Sequence, residues 1–432
     1  MKKIASYALG CKVNQYESEA IAELFAEKGY EVVSVDDEAD VYIINTCTVT
    51  NFGDKKSRQL IRKVKRQNEN AIVAVVGCYA QTAPEELAAV HGVNLVIGTK
   101  DKSKIVELVE DYQAEQGVQN YVTDIMHERV FEPLEIKKLA NRTRAYLKIQ
   151  DGCSQFCSYC IIPYARGPIR SRQPEDVIAE VKRLAENGFK EVVLTGIHVA
   201  SYGKDLKTIT LTDIIRQVHE VEGIERIRFS SIEPNVVTEE FAAAMAELPK
   251  VCDHFHLSLQ SGCDKTLKEM NRKYDTEKYR QAAALLRKYL PDVAITTDII
   301  VGFPGETEED YQASRAFAEE IGFSKIHVFP YSPKKGTPAA ARKDQLQNAV
   351  KQARSHDLIT VSDRMTDAFL QKHVGKVMPV LFERRIGDDV YEGHTTNYMK
   401  VHARSTKDLS NVIADTKILS VAEEMAFGEV EA

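Results

Sequence analysis

Six strand-like segments, each followed by a helix-like segment, fill the middle of this 432-residue chain. The predicted strands are 144–150, 191–196, 226–231, 254–260, 294–302 and 325–331. Several of the helix-like segments begin with Pro or Thr followed by acidic residues, as helix N-termini do. Because parallel strands need long crossovers, six such units in succession predict a partial or complete parallel barrel of the (βα)6 type.

A shorter version of the same alternation opens the chain. Strand-like runs at 4–10, 40–46, 71–77 and 95–99 alternate with helices near 17–29, 55–67 and 102–116. This pattern predicts an α/β domain with an open parallel sheet over residues 1–120. A polar, irregular stretch from about 113 to 141 marks its boundary with the barrel domain, which we place at 139–370 including a helical connector.

The end of the chain has a different pattern. Residues 371–432 contain short β-like runs punctuated by Gly387 and Gly393. Runs of this length and spacing indicate a third domain, a small antiparallel β-barrel.

Composition excludes several classes of protein. The chain is 44% hydrophobic and 28% charged with a net charge of −7, an ordinary balance that gives no overall basic character. No apolar run reaches the roughly 18 residues that span a bilayer. The N-terminal MKKIASYALGC resembles a lipoprotein signal, but its apolar run is too short and predicts a strand. We expect a cytoplasmic protein without a membrane partner, whose eight cysteines are ligands or thiols and not disulfides.

The segment DGCSQFCSYCIIPYARG (151–167) directly follows the first barrel strand and places Cys153, Cys157 and Cys160 in a Cys-x3-Cys-x2-Cys spacing. Three thiolates on one loop can hold three irons of a four-iron cluster and leave the fourth iron open. The loop falls at the carboxyl ends of the strands, where barrels carry their sites. A zinc site is an alternative, although zinc sites usually pair two Cys-x2-Cys units. Unligated thiols are a further alternative.

Three more cysteines, Cys11, Cys47 and Cys78, each follow a predicted strand of the first domain. Carboxyl ends of parallel strands meet at one edge of a sheet, so these thiols are expected to converge and could hold a second cluster. Buried apolar cysteines are the alternative interpretation. Cys252 and Cys263 match neither pattern and are interpreted as ordinary thiols.

Other barrel strands end in polar or glycine-rich tips that are expected to face the same cavity. Glycine in these tips lets the backbone approach a ligand closely. Each residue taken alone could be a solvated loop residue, and their recurrence at one end of the barrel favours cofactor binding. The predicted cofactor contacts are Thr195, Gly196, Glu233, Gln260, Asp298 and Gly302.

The spacing of Cys153, Cys157 and Cys160 resembles that of the radical S-adenosylmethionine (radical SAM) enzymes. The resemblance implies that the open iron binds the methionine moiety and that Tyr159 lies near the adenine. Together with the N-terminal triad, the chain resembles the methylthiotransferases over essentially its full length, including a C-terminal module similar to the TRAM RNA-binding barrel. This likeness implies two 4Fe-4S clusters, S-adenosyl-L-methionine as cosubstrate, and all six triad cysteines as metal ligands and catalytic residues.

Within that family, GCKVNQYESEA (10–20) and NTCTVTNFGDKKSRQLIRK (45–63) resemble the threonylcarbamoyladenosine branch. The isopentenyladenosine branch more typically has Gln-Met-Asn after the first cysteine, and the protein-modifying branch has Pro-Lys-Asn. The implied reaction is methylthiolation of C2 of N6-threonylcarbamoyladenosine at position 37 of the tRNA anticodon loop, with two S-adenosylmethionine molecules. Isopentenyladenosine, a ribosomal-protein aspartate and a non-catalytic iron–sulfur RNA-binding scaffold remain alternatives.

The implied chemistry attacks an unactivated aromatic C–H bond, so a radical is needed and the cofactor supplies it. An electron from a reductant such as flavodoxin or ferredoxin enters the cluster on Cys153, Cys157 and Cys160 and splits S-adenosylmethionine. The resulting radical activates C2, and the cluster on the N-terminal triad holds the methylated sulfur. The sequence contains no evident acid–base catalyst.

Local charge favours an RNA substrate, because segment 55–66 holds seven basic residues and no acidic one. A solvated helix face is the alternative for that segment. Residues 371–432 contain eight basic and ten acidic residues. Because this domain is not basic overall, RNA binding there would need a local basic patch. The predicted phosphate contacts are Lys55, Lys56, Arg58, Arg62, Arg166, Arg170, Arg384 and Arg385.

Overall fold

The computed structural model describes residues 1–136 and 143–431. It confirms the predicted α/β architecture, with an N-terminal parallel sheet, a central partial barrel and a closed C-terminal β-barrel. The predicted start of the barrel domain at residue 139 lies outside the described residues. Nothing in the described part of the chain forms a helix long and apolar enough to cross a membrane.

The N-terminal sheet has six parallel strands in the order β2-β1-β3-β4-β5-β6. The strands are β1 Lys3–Ala8, β2 Glu31–Val32, β3 Val41–Thr46, β4 Ile72–Gly77, β5 Leu95–Val96 and β6 Gln119–Asn120. The helices are α1 Lys12–Glu27, α2 Asn51–Gln67, α3 Cys78–Thr82, α4 Pro84–Ala88 and α5 Ile105–Glu110. All of β3 is buried, because helices cover both faces of the sheet. The two-residue edge strands β2 and β6 are too short to give a periodic signal and were not predicted.

Helix boundaries differ from the prediction where they matter for the cysteines. The helix predicted at 17–29 begins at Lys12, so Cys11 is its N-cap residue. The helix predicted at 55–67 begins at Asn51, because the Thr50 side chain accepts a hydrogen bond from the Gly53 amide and caps it. The helix predicted at 102–116 is shorter: a 3-10 turn at Lys102–Lys104 leads into α5, which ends at Glu110.

The central region contains the six predicted parallel strands and one short antiparallel strand, β8. Two sheets, β10-β9-β7-β8 and β11-β12-β13, are joined by isolated parallel bridges such as Ile232 to Leu257, which makes one curved partial barrel. The strands are β7 Arg144–Asp151, β8 Arg170–Ser171, β9 Glu191–Gly196, β10 Arg226–Phe229, β11 His254–His256, β12 Ala294–Val301 and β13 Lys325–Pro330. The helices are α6 Ile162–Arg166, α7 Pro174–Glu186, α8 Leu211–His219, α9 Glu239–Ala246, α10 Asp264–Glu269, α11 Thr276–Tyr289 and α12 Glu308–Ile321.

Strands β10 and β11 end earlier than the sequence predicts. The ladder beyond β11 continues as single bridges, one of them between Gln260 and Ile299. Gln260 has a φ of +71°, which breaks the regular strand geometry. The residues after these strands are therefore loops at the carboxyl end of the barrel.

Helix α13 (Asn348–Gln371) leads from the barrel to the closed C-terminal β-barrel. Its strands are β14 Val377–Gly387, β15 Val390–Thr395, β16 Lys400–Arg404, β17 Val412–Ala422 and β18 Met425–Val430. The pairing is antiparallel as predicted except between β16 and β18, which run parallel and close the barrel.

The C-terminal barrel packs against the amino-terminal ends of the central strands. Arg226 donates to the carbonyl oxygens of His394 and Pro379, each over 2.8 Å. Tyr398, from the loop between β15 and β16, stacks on His254 with ring centroids 4.9 Å apart. This loop therefore closes the end of the central barrel that is opposite the cysteine loop.

Candidate functional site

The N-terminal cysteines converge at the carboxyl edge of the sheet, as predicted. Cys47 directly follows β3 and Cys78 begins α3 directly after β4. Cys11 lies three residues beyond β1, on a loop that carries Gly10 at a φ of +93°. A Cβ atom on Gly10 would lie 2.5 Å from Sγ of Cys47, so glycine is required for this close approach.

A fully buried arginine contacts this N-terminal triad. Nε of Arg166 donates to Sγ of Cys78 over 3.1 Å, and its Nη1 donates to Oε1 of Glu17 over 2.6 Å. Arg166 belongs to α6 of the barrel, whereas Glu17 belongs to α1. The sulfur of Cys78 therefore has a buried cationic hydrogen-bond donor beside it.

Further buried charges surround this contact. Glu17 also pairs with Lys102 and Lys148, each over 2.8 Å. Asp151 pairs with Lys148 over 2.6 Å and lies 3.6 Å from Arg170. With Arg166, four basic side chains therefore surround two carboxylates, and this local excess of positive charge suits anionic ligands on the neighbouring cysteines.

The burial of Arg166 and Arg170 contradicts their predicted role as phosphate contacts. Their exposed fractions are 0% and 3%, so an RNA backbone cannot reach either guanidinium. Arg170 donates instead to the carbonyl oxygen of Arg166 over 2.9 Å. Arg166 and Arg170 therefore neutralise buried acids and are not part of the protein surface.

Two thiols of the N-terminal triad, Cys47 and Cys11, have raised pKa values. Burial raises the pKa of Cys47 to about 12, and the nearby thiols of Cys78 and Cys11 act in the same direction. Burial also raises the pKa of Cys11, while Arg166 opposes this. Thiols of this kind stay protonated when alone and ionise when a metal displaces their protons, as expected of ligands.

The second triad lies on the loop between β7 and α6, at the predicted end of the barrel. The Cys153 amide donates to the Gly167 carbonyl over 2.9 Å, and the Cys160 amide donates to the Cys157 carbonyl over 3.0 Å. The loop starts at Gly152, whose φ is +73°. Burial raises the pKa of Cys153 to about 11 and that of Cys160 to about 12.

This barrel triad also has an arginine partner, which the sequence did not reveal. Nη1 of Arg272 donates to Sγ of Cys157 over 3.2 Å, and its Nη2 lies 2.8 Å from Oε1 of Glu233. The other carboxylate oxygen of Glu233 lies 3.2 Å from Nε2 of His198. Arg272 stands in a loop without a motif, so only the folded chain brings it to the cysteines.

The sulfurs of neither triad are grouped as closely as the ligands of a single zinc ion. In neither triad do all three sulfurs lie within 4.8 Å of one another. Ligands of one tetrahedral zinc, at about 2.3 Å from the metal, would be about 3.8 Å apart. The wider arrangement fits an iron–sulfur cluster, whose ligands bind different irons. Each triad offers three thiolates and one arginine, and so each fits a 4Fe-4S cluster with one open iron.

One cavity of about 1120 Å³ reaches both cysteine sites. It is bordered by Cys11 on the N-terminal side and by Cys153, Cys157 and Cys160 on the barrel side. The predicted cofactor contacts Tyr159, Thr195, Gly196, Glu233 and Asp298 also line it. The C-terminal barrel contributes Tyr398, Met399 and Lys400 to the far end. The three parts of the chain thus build one site.

Two predicted cofactor contacts lie away from this cavity. The Gly302 amide donates to Glu306 over 2.7 Å, and a Cβ atom on Gly302 would lie 2.5 Å from Cγ of Lys351. Gly302 therefore allows the close packing of α13. Gln260 is absent from the cavity lining, and its amide donates to the Asp298 carbonyl over 2.9 Å.

A polar layer lines the inner wall of the barrel, and of its members the sequence singled out Asp298 but not His256, His327 or Thr296. Nε2 of His256 lies 3.3 Å from Oδ2 of Asp298, and the ring of His327 stacks beside that of His256. Nδ1 of His256 lies 3.0 Å from Oγ1 of Thr296. His256, Asp298 and His327 all border the cavity, so a ligand entering the barrel meets hydrogen-bonding groups.

All of the other predicted phosphate contacts except Arg58 are exposed at the surface. Lys55, Lys56 and Arg62 are exposed on α2. Arg58 is half-buried and hydrogen-bonds the Tyr79 hydroxyl. Arg384 and Arg385 are exposed on β14 and pair with Glu392 over 2.7 Å and Asp389 over 3.2 Å. Among these predicted contacts, the exposed basic residues without an acidic partner among the described residues are therefore those on α2.

Comparison with known proteins identifies two matching families. Residues 147–318 match the Radical SAM superfamily, a range that contains the barrel triad. Residues 3–98 match the uncharacterized protein family UPF0004, a range that contains the N-terminal triad.

Relatives match along nearly the whole chain. The threonylcarbamoyladenosine tRNA methylthiotransferase MtaB of Bacillus subtilis (strain 168) is 45% identical and covers 97% of this chain and 94% of its own. The MtaB protein of Aquifex aeolicus (strain VF5) is 39% identical, with coverage of 95% and 99%. The tRNA-2-methylthio-N(6)-dimethylallyladenosine synthase of Thermoanaerobacter sp. (strain X514) is 37% identical, with coverage of 98% and 91%.

Among solved structures, the radical SAM methyltransferase TsrM from Kitasatospora setae superposes with a TM-score of 0.59 at 15% identity. The match covers 79% of this chain and 77% of that one, and at this identity it shows the shared fold. From the cavity that borders both cysteine sites and from relatives matched over nearly their full length, we conclude that this chain belongs to the radical S-adenosylmethionine methylthiotransferase family.

Proposed function

We propose that this enzyme methylthiolates C2 of N6-threonylcarbamoyladenosine at position 37 of tRNA. The observation that carries the proposal is the single cavity bordered by Cys11 of the N-terminal triad and by all three cysteines of the barrel triad. Insertion of sulfur into a C–H bond needs carbon activation and sulfur delivery at the same atom. A base placed in this cavity has access to both sites.

The proposal includes two 4Fe-4S clusters and two molecules of S-adenosylmethionine for each turnover. Cys153, Cys157 and Cys160 would hold one cluster, and the N-terminal triad would hold the other. When bound, the first cluster supplies the electron that cleaves S-adenosylmethionine, and the second supplies a binding site for the sulfur that is methylated and transferred. The chain's own residues bind, orient and shield the reactants.

Around the barrel triad, the side chains have complementary tasks. Arg272 holds Cys157 and Glu233 in fixed positions, and His198 holds the other oxygen of Glu233. Glu233 thereby presents a fixed carboxylate at the cavity wall. Tyr159 and Gly196 line the same wall, which supports their role in binding the adenosyl group.

The choice of modified base rests on the relatives. Two of the similar proteins at 45% and 39% identity are named for threonylcarbamoyladenosine, and one at 37% is named for dimethylallyladenosine. The polar inner wall formed by His256, Asp298 and Thr296 suits a polar substituent better than a hydrocarbon one. Both observations favour the threonylcarbamoyl group.

The tRNA would approach over the exposed basic residues of α2, beside the N-terminal triad, and over Arg384 and Arg385 of the C-terminal barrel. The target base lies in a single-stranded loop, so it can turn out of the loop at modest cost. We expect a flavodoxin or ferredoxin to supply the electron, and we expect the enzyme to work in the cytoplasm together with its tRNA.

Nucleoside mass spectrometry of tRNA from cells lacking the gene tests the substrate. The 2-methylthio derivative of threonylcarbamoyladenosine should disappear, and the wild-type gene should restore it. A loss of methylthio-isopentenyladenosine instead would identify the other base as the substrate.

The two cysteine sites are tested separately on anaerobically prepared protein, which should hold about eight irons for two 4Fe-4S clusters. Cys157→Ala should abolish formation of 5′-deoxyadenosine. Cys47→Ala should retain 5′-deoxyadenosine formation, lose about four irons and stop methylthiolation. Cys263→Ala is the matched control, because this thiol lies outside both triads next to Asp310. Full methylthiolation by Cys47→Ala would refute the two-cluster proposal.

A further inference from the structure

We propose that Lys12 binds the carboxylate of the threonyl group on the substrate adenosine and so selects this base over uncharged ones. The inference rests on the proposed function and assigns a specificity-determining residue within the same cavity. It is carried by the position of Lys12, by the pairing of the other cations in the cavity and by the charges nearby.

Lys12 lies beside the N-terminal cysteine site and reaches toward the amino-terminal end of the central barrel. It is the first residue of α1, directly after Cys11, and its side chain lines the cavity. Its Nζ atom lies 5.9 Å from the centroid of the Tyr146 ring, which belongs to β7 of the barrel. The side chain thus extends from the N-terminal domain toward the interior of the barrel, where a substituent on a bound base would lie.

The other cations that line the cavity are already paired with carboxylates. Arg272 is 2.8 Å from Glu233, Lys325 is 3.4 Å from Asp363 and also contacts Glu424, and Lys400 is 3.7 Å from Glu392. Lys12 is the exception, since no carboxylate of residues 1–136 or 143–431 forms an ion pair with it.

The charges around Lys12 favour an incoming anion. Arg144 on β7 and Arg228 on β10 are the cations that act on Lys12, and Tyr398 and Glu191 act on it in the opposite sense. Glu191 is occupied, because its Oε1 lies 2.8 Å from Nε of Arg228 and 4.0 Å from Arg144. Arg144 is also paired with Glu383 over 2.8 Å, so both arginines already have a carboxylate partner and Lys12 is the cation of this group that a ligand carboxylate would pair.

The threonylcarbamoyl substituent carries the negative charge that Lys12 can bind. It carries a carboxylate, which a lysine ammonium binds by charge-assisted hydrogen bonds. It also carries a hydroxyl and a urea-like linkage, for which His254, His256 and Thr296 on the cavity wall offer polar partners. An isopentenyl substituent is a hydrocarbon and would leave Lys12 desolvated without a partner.

S-adenosylmethionine is the other possible source of a carboxylate in this cavity. The two sources predict different results, because a lysine that held the cosubstrate would affect S-adenosylmethionine binding with any RNA. A lysine that holds the threonyl group affects only RNAs that carry this carboxylate.

The test measures binding to the protein that carries its clusters, by fluorescence anisotropy of labelled anticodon stem–loop RNAs. Three RNAs are compared, with threonylcarbamoyladenosine, with its neutral threonine amide, or with plain adenosine at position 37. Wild-type protein should bind the first RNA at least about tenfold more tightly than the amide. Lys12→Gln should lose this preference and keep its affinity for the plain RNA, and Lys12→Arg should keep the preference.

Lys28→Gln is the matched control, because Lys28 is the exposed C-cap residue of the same helix, outside the cavity. It should behave like wild type, and iron analysis should show equal cluster content in all variants. The inference is overturned if wild-type protein binds the carboxylate and amide RNAs equally, if Lys12→Gln keeps the preference, or if Lys12→Gln weakens S-adenosylmethionine binding as strongly as RNA binding.

The proposed function is judged by a different result. Product formation by wild-type enzyme on threonylcarbamoyladenosine tRNA is measured by mass spectrometry. Product formation together with unchanged specificity in Lys12→Gln would refute the role of Lys12 alone. No product from wild-type enzyme would refute the proposed function.

Discussion

Nε of Arg166 donates a hydrogen bond to Sγ of Cys78 over 3.1 Å and thereby joins two parts of the chain that are far apart in sequence. Arg166 ends the short helix that follows the barrel triad, whereas Cys78 belongs to the N-terminal triad. The segment that carries one set of cysteines therefore also carries the cation that contacts the other set. This contact fixes the relative position of the two cysteine sites around their common cavity.

Replacement of Arg166 should weaken both the fold and the N-terminal cysteine site. In Arg166→Leu, Glu17 keeps its two lysine partners, but the buried acceptors on Glu17, Asn14 and Cys78 lose a hydrogen bond, so the free energy of unfolding should fall by about 1–3 kcal/mol. Urea unfolding measures this change, and iron analysis should show a selective loss of iron from the N-terminal triad. Arg183→Leu is the control, since its ion pair with Glu135 is about one-third exposed and should be worth less than about 1 kcal/mol. Equal stability of the two variants would contradict the role assigned to Arg166.

Glu17 should make stability depend on pH in the acid range. Burial opposes its ionisation, but Arg166, Lys102 and Lys148 outweigh this and hold the pKa of Glu17 well below its ordinary value. A carboxyl group with a lowered pKa in the folded state stabilises above its unfolded pKa of about 4.3, and this contribution is lost as the pH falls below that value.

The variant Glu17→Gln isolates this effect. At pH 7 it should be less stable than wild type, and the difference should shrink as the pH falls from about 4.3 toward 3. Urea unfolding of the metal-free proteins at several pH values gives the comparison. A difference that stays constant over this range would show that the pKa of Glu17 is the same in the folded and unfolded states and is not lowered by folding.

The sequence predicted those features that depend on local pattern. The six parallel strands, the loop at Cys153 and the convergence of Cys11, Cys47 and Cys78 follow from the alternation of strands and helices, because parallel strands bring their carboxyl ends to one edge. The small C-terminal barrel was also predicted, apart from the parallel pairing of β16 with β18.

Features that depend on distant partners could not be predicted in this way. Arg166 was expected at the surface because it follows the cysteine loop with other basic residues, but its partner Glu17 is 149 positions away and buries it. Arg272 and His256 stand in segments without a motif, and only the closed barrel brings them to the cavity. Lys12 follows a predicted cysteine ligand, and its lack of an acidic partner is visible only in the folded chain.

Tyr398 should be the main anchor between the C-terminal barrel and the central barrel. Its ring stacks on His254 and His394 with centroids 4.9 Å away in each case, and Arg228 lies 4.8 Å from its centroid. These contacts hold the residue at a φ of +68°, which is uncommon for a residue other than glycine.

Truncation in Tyr398→Ala should lower the free energy of unfolding by about 2–3 kcal/mol, since it removes a packed aromatic ring. It should also increase hydrogen exchange in β11 and in the loop before β16, because the amino-terminal end of the central barrel opens. Tyr398→Phe keeps the ring and loses only the hydroxyl beside Arg144, so it should lie closer to wild type than Tyr398→Ala in both measurements. Unchanged exchange in Tyr398→Ala would show that the barrel is closed by other contacts.

The exposed face of α2 should contribute to RNA affinity through phosphate contacts. Lys55, Lys56 and Arg62 are exposed there. Each lost contact with a phosphate reduces the slope of log affinity against log salt by about 0.7–0.9. Replacement of all three by Gln should therefore reduce the slope by about 2 to 3 for full-length tRNA, and filter binding at several salt concentrations measures it.

Binding of S-adenosylmethionine should not change, since these residues lie outside the cavity lining. The control is Lys182→Gln on α7, an exposed lysine of the barrel surface, which should leave the slope as in wild type. An unchanged slope in the triple variant would assign this helix face to solvent and leave the C-terminal barrel as the RNA-binding surface.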